Sequence, residues 1–160
     1  MFIAFSSVVT GLYKEFLILF SIIIIHECGH YFASLYYKWE VERIDVYPFG
    51  GHIKFKDYVN RPIKEEFFIL LCGPLLQVLY FFLLKNFVVT NYGTLDILQN
   101  YHYSILIFNL LPIHPLDGSK LINLTLNKFF PYKLSHIVTL YFSFIVLIIS
   151  LIALERFTVN

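Results

Sequence analysis

Charge is what this chain is short of. Only 14% of its 160 residues are Asp, Glu, Lys or Arg, while 58% are hydrophobic. Soluble domains carry nearer a quarter charged residues. With a mean hydropathy of +0.70, the composition excludes an ordinary soluble globule and indicates an integral membrane protein, most simply of one domain, residues 1–160. An excess of either sign is lacking too. The net charge is +1, which leaves no basic footprint for a nucleic-acid partner. Cysteine is scarce. Cys28 and Cys72 both fall in expected membrane helices, so no structural disulfide is expected and both read as small apolar fillers. The N-terminus lacks a basic n-region and a small-x-small cleavage site, so no cleaved signal peptide is expected. The sequence has no internal repeats and no low-complexity tracts.

What is present is a series of long apolar runs. A spanning helix needs about 20 apolar residues. Met1 to Tyr13 is too short to span alone and reads as a short or truncated first segment. Clear spans follow at about 16–37, 67–84, 95–111 and 137–154. The third holds unusual polar content, with Asp96, Gln99, Asn100, His102 and Asn109. It ends at Pro112, and the chain restarts after Pro115 as Leu116 to Phe130. Between the first two clear spans, Val41–Tyr47 and His52–Lys56 alternate charged and apolar residues around Pro48-Phe-Gly-Gly51. That pattern predicts a short β-hairpin at the membrane surface. The fold class is therefore an all-α polytopic membrane protein with one small hairpin.

Lysine and arginine give the orientation. The loop after the first clear span holds Lys38, Arg43, Lys54, Lys56, Arg61 and Lys64, and the stretch after Asp117 holds Lys120, Lys128 and Lys133. The positive-inside rule puts both regions in the cytoplasm. The helix carrying His26 then runs inward, and the chemistry faces the cytoplasmic side.

That chemistry is His26-Glu27-Cys28-Gly29-His30, set inside the run Phe16 to Tyr37. A charged side chain at a helix centre in the bilayer costs about 2.5–3.5 kcal/mol even on a mild scale, so such residues mark function. Residues four apart share a helix face, so His26 and His30 can point at one cation. Glu27 lies about 100° round the helix, suited to a metal-activated water rather than to the metal itself. This is the division of labour of His-Glu-x-x-His zinc hydrolases, with two histidine ligands and a glutamate base. A catalytic zinc needs a third ligand and an open position. Asp117, the sole acidic residue between Asp96 and Glu155, is the candidate. It lies in Asn109-Leu-Leu-Pro-Ile-His-Pro-Leu-Asp-Gly118, where Pro112 and Pro115 break the helix and Gly118 permits close approach. His114 is a weaker rival ligand. His52, His102 and His136 read as surface or packing histidines. Gly29 and Ala33 form a small-residue surface that would help bring the Asp117 segment to the histidines. Gly73-Pro74 marks a weak point in the second clear span, with Gln77 one turn on to bond an unwound peptide. The hairpin would present such a peptide by strand addition.

With these motifs in this order, the chain resembles the site-2 protease family of intramembrane zinc metalloproteases (peptidase M50). Within that family it is similar to the stage IV sporulation protein FB group. The likeness runs from about Phe16 to Phe130. It includes Pro48-Phe-Gly-Gly51, Asn60-Arg-Pro-Ile-Lys-Glu-Glu-Phe67, Cys72-Gly-Pro-Leu75 and the Asn109–Gly118 run. The resemblance implies a site-2-protease-like helical core. It implies one Zn2+ per chain held by His26, His30 and Asp117, with Glu27 as catalytic base. Asn109, Pro112, Pro115 and Gly118 would shape the site. It further implies a multi-pass protein of the bacterial cell membrane that cleaves a membrane-associated protein, in the sporulation group a sigma-factor precursor, under inhibitory membrane partners. Many members carry Asn in place of Gln77. The sporulation enzymes also have a further span and a C-terminal cystathionine-β-synthase-type domain beyond this chain's Asn160, so a minimal member or a fragment is expected. No PDZ-like insertion is visible. Two other classes remain open at this stage: a catalytically silent membrane binder of the same fold, and a metal transporter with ligands on several spans.

Overall fold

The computed structural model describes residues 12–47, 50–56, 61–88 and 91–158. The expected short first segment, the Pro48-Phe49 part of the turn and Asn60 lie outside the described residues. The chain divides into two compact units, residues 1–106 and 107–160.

The first unit is built on two apolar helices, α1 (Tyr13–Tyr36) and α2 (Ile63–Leu83), with the hairpin β1 (Val41–Tyr47) and β2 (Gly50–Phe55) between them. A π-helical turn, Leu84–Val88, extends α2, and α3 (Tyr92–Leu110) follows, its last turn passing into the second unit. Ile22 of α1, Phe81 of α2 and Leu98 of α3 form the buried apolar centre. The α1 and α2 backbones approach closely at Gly29, where a Cβ would collide with the carbonyl of Cys72. The small-residue surface at Gly29 therefore serves the approach of α2.

α1 ends by a Schellman motif. Lys38 N–H donates to Leu35 O at 3.0 Å and Trp39 N–H donates to Ser34 O at 2.9 Å. Lys38 takes the left-handed conformation (φ 57°) that glycine usually supplies. The reversal buries Trp39. Its Nε1–H donates to Glu65 Oε2 at 2.8 Å, its ring meets Phe55 edge-on at 5.0 Å, and the Arg61 guanidinium stands 5.7 Å from its centroid. One side chain thus ties the end of α1 to β2 and to the start of α2. The hairpin itself is antiparallel, pairing Val41 with Phe55 and Tyr47 with Gly50, with an irregularity between Val41 and Arg43. Lys54–Glu42 at 3.0 Å and Lys56–Glu40 at 3.1 Å pair across it. Both pairs are exposed and contribute little to stability.

The second unit holds α4 (Asp117–Leu126) and α5 (Tyr132–Thr158), which pack together. Ser135, Thr139 and Ser143 form a buried line along α5. Thr139 and Ser143 donate their hydroxyls to the carbonyls four residues back, each at 2.8 Å. That satisfies polar groups where no water is at hand.

Among the described residues three helices are long and apolar enough to cross a membrane: Tyr13–Tyr36, Ile63–Val88 and Tyr132–Ala153. They coincide with three of the four expected spans. The stretch expected at 95–111 does form a 19-residue helix. Its polar residues, Asp96, Gln99, Asn100, His102 and Asn109, keep it less apolar than those three. A substitution that fills the α1–α2 contact, Gly29→Val, is expected to lower stability by about 1–3 kcal/mol. Thermal unfolding in detergent reads this, and an unchanged midpoint would contradict the close approach.

Candidate metal centre

His26 and His30 are both buried on the face of α1 turned to α2. Each ring has one nitrogen committed. His30 Nδ1 stands 2.8 Å from the Ile69 carbonyl oxygen. A carbonyl only accepts, so this Nδ1 carries the proton. His26 Nδ1 stands 2.9 Å from Gln77 Oε1. The amide's orientation is set at its other end, where Nε2 donates to the His102 carbonyl at 3.0 Å. Oxygen therefore faces His26, and His26 Nδ1 is also the protonated nitrogen.

With Nδ1 the donor on each ring, Nε2 is the nitrogen each can offer a cation, and the two Nε2 atoms lie 3.1 Å apart. Two nitrogens on one tetrahedral zinc at Zn–N of about 2.0–2.1 Å stand about 3.3 Å apart. The pair fits a zinc ion in chemistry and in spacing. The backing of each ring by an oxygen acceptor is the usual support of metal-bound histidine.

The surroundings leave no slack. A Cβ on Gly73 would collide with the His30 ring, so glycine there is what lets the imidazole sit against α2. Pro74, inside α2, has no N–H for the Leu70 carbonyl. That turn is one helical bond short next to the Ile69 carbonyl that His30 uses. Gly73, Pro74 and Gln77 thus all bear on the histidines. Gln77 is fully buried, with 0% of its surface exposed. Its Oε1 is bonded to His26 and its Nε2 to His102. In this structure the amide is engaged inside the fold rather than held open for a peptide. Glu27 is half-buried, one residue past His26. Cys28 and Cys72 are free thiols.

His102, expected as a surface or packing histidine, packs inside the fold and also bonds Gln77. It is buried, stacked on Phe81 at 4.2 Å and 7°, with Nδ1 3.3 Å from Gln77 Nε2. A signal for it was present. Leu95, Leu98, His102 and Ile105 recur at helical spacing, which puts the imidazole on the apolar face.

In the second unit, Asn109 is half-buried in the last turn of α3. Pro112 and Pro115 lie in the irregular stretch 111–116 that separates α3 from α4. Asp117 is the first residue of α4 and is buried. A carboxylate there is favoured by the helix N-terminus. Lys120 Nζ contacts its Oδ1 at 2.9 Å. At Gly118 a Cβ would run into the carbonyls of Leu110 and Leu111, so this glycine lets the chain fold back on itself immediately after the carboxylate. His114 is exposed, its ring 6.1 Å from that of His136.

Comparison with known proteins agrees with this geometry. The model of "Peptidase family M50" matches residues 14–98. The chain is 38% identical over 137 residues to stage IV sporulation protein FB of Bacillus subtilis, covering 84% of this chain and 48% of that protein. It is 28% identical over 123 residues to a zinc metalloprotease of Methanocaldococcus jannaschii, covering 73% of this chain and 35% of that one. The solved site-2 protease from Methanocaldococcus jannaschii superposes with a TM-score of 0.65 at 25% identity, covering 86% of this chain and 69% of that one. The chain spans about half the length, or less, of the curated relatives it matches.

Gly73→Ala is expected to push the His30 ring aside and lower zinc affinity about tenfold or more. Competition against a chelator measures it, and wild-type affinity in a folded variant would show that the ring is not held against α2.

Proposed function

The chain belongs to peptidase family M50, and from that membership we propose that it is an intramembrane zinc metalloendopeptidase. The observation that carries the reading is the pair of His26 and His30 Nε2 atoms 3.1 Å apart, with each Nδ1 directed at an oxygen acceptor. Asp117 supplies the third ligand. Its burial, its place after the proline-broken stretch and its isolation among acidic residues between Asp96 and Glu155 support this role. Lys120 engages its Oδ1. Asn109, Pro112, Pro115 and Gly118 shape the turn that carries it. Both units are taken as one protease domain, residues 1–160.

Zinc, when bound, would polarise a carbonyl and bring the pKa of a water near 7. The protein's own part is then acid–base work and positioning. Glu27 takes a proton from the attacking water and passes it to the departing amine. His26 and His30, held rigidly by Gln77 and Ile69, do not need to reorganise during the reaction. A substrate helix must be unwound before its amides are accessible, and its freed groups need partners. Among the described residues each strand of the sheet has one strand neighbour, so an extended peptide can add at an edge.

The substrate class is a membrane-associated precursor. Likeness to stage IV sporulation protein FB supports a role in sporulation, with a sigma-factor precursor as substrate and membrane proteins as inhibitory partners. The lysines and arginines around the hairpin and after Asp117 support an active site on the cytoplasmic side of a bacterial cell membrane.

Glu27→Gln is expected to reduce cleavage of a co-expressed precursor by about 10²–10⁴-fold while zinc content stays at one per chain. Retained cleavage with zinc bound would remove Glu27 from the reaction. Asp117→Asn should weaken zinc binding in the same preparation, and unchanged affinity would transfer the third-ligand role elsewhere.

A further inference from the structure

We propose that Gln77 is a positioning residue for the metal centre. Its Oε1 holds His26 with Nδ1 as the donor, so that Nε2 is the nitrogen presented to a cation, and the main chain of α3 orients Gln77 in turn. The inference rests on the zinc reading above and goes further by assigning how one ligand is kept competent.

A glutamine amide facing a histidine has two self-consistent arrangements. With Oε1 toward the ring, Nδ1 is protonated and Nε2 carries the lone pair. With Nε2 toward the ring, Nδ1 accepts and the proton moves to the ring's Nε2, which then cannot bind a metal. Nothing in the His26–Gln77 contact alone chooses between them. The choice is made 3.0 Å from the other end of the amide, at the His102 carbonyl. That oxygen only accepts, so a flipped amide would set two oxygens against each other in a buried site. The penalty for such an unsatisfied buried pair is of the order that decides protonation states. The second amide hydrogen points to His102 Nδ1 at 3.3 Å. The His102 ring is itself held flat on Phe81, which fixes α3 against α2. The order of control runs from backbone on α3, through one amide on α2, to a ligand on α1.

The contrast with His30 supports the assignment. His30 takes its support directly from a backbone carbonyl, Ile69 O, at 2.8 Å. His26 Nδ1 takes its support from a side chain, 51 residues away. Gln77 relays to it the fixed polarity of a main-chain carbonyl, which no apolar residue of the same size can do.

The test uses the full chain purified in detergent with selectively 15N-labelled histidine. In the zinc-loaded wild type, His26 is expected to show a protonated Nδ1 and a metal-bound Nε2. Gln77→Met, nearly the same size and unable to accept, is expected to raise the zinc dissociation constant about 10–100-fold and to change the visible spectrum of the Co2+-substituted protein. Helix content should stay at the wild-type value. His26→Ala is the reference for loss of the site. Wild-type affinity and an unchanged Co2+ spectrum in folded Gln77→Met would overturn the inference. So would a wild-type spectrum with His26 bound through Nδ1, a result that does not depend on the variant folding. If the wild type binds no zinc, or His26→Ala binds it equally well, the zinc reading itself fails.

Discussion

Two imidazole Nε2 atoms 3.1 Å apart, each on a ring whose Nδ1 donates to an oxygen, are placed to share one cation. Most of what is particular about the first unit follows from holding those rings in place. Gly29 lets α2 come close enough to back them, and Gly73 leaves room for one imidazole against the α2 backbone. Pro74 leaves a helical bond unmade beside the carbonyl that His30 uses. Gln77 brings the polarity of an α3 carbonyl to His26. An apolar setting sharpens all of these, because each unsatisfied polar group is costly where water is scarce.

The second unit contributes a different device. Asp117 stands at the start of α4, after two prolines that end α3 and before a glycine that admits the returning backbone. The buried carboxylate lies at a helix N-terminus, which favours negative charge, and in contact with Lys120. On the surface side, Trp39 joins the end of α1, the hairpin and the start of α2 through one ring and one N–H. An edge that is to receive a peptide strand has to be held rigidly, and this clasp holds it next to the helix that carries His26 and Glu27.

Much of this was readable from residue order. The i, i+4 histidines, the flanking apolar run and the Pro-x-x-Pro-Leu-Asp-Gly turn are local patterns, and local patterns convert directly into helix faces and breaks. The alternating residues around Gly50-Gly51 likewise became the hairpin. The parts not readable are those in which a main-chain group acts. Every residue has a carbonyl, so nothing marks Ile69 as the acceptor for His30 or His102 as the anchor for Gln77. Gln77 stood out as the lone amide of an apolar helix, yet its partner is 51 positions away in sequence, and a peptide-binding role was as consistent with the pattern as a structural one. The Lys38 reversal was hidden for a related reason, since glycine is the usual marker of a left-handed helix end.

The central claim is that His26 and His30 hold a zinc ion through Nε2, with a carboxylate oxygen as third protein ligand. X-ray absorption at the zinc edge of the purified protein tests it most directly. The account predicts a first shell of nitrogen and oxygen alone at about 2.0–2.1 Å, with multiple scattering from two imidazoles, and loss of that signal in His26→Ala. A sulfur shell at about 2.3 Å, which would bring in Cys28 or Cys72, or a bound zinc with no imidazole scattering, would contradict it.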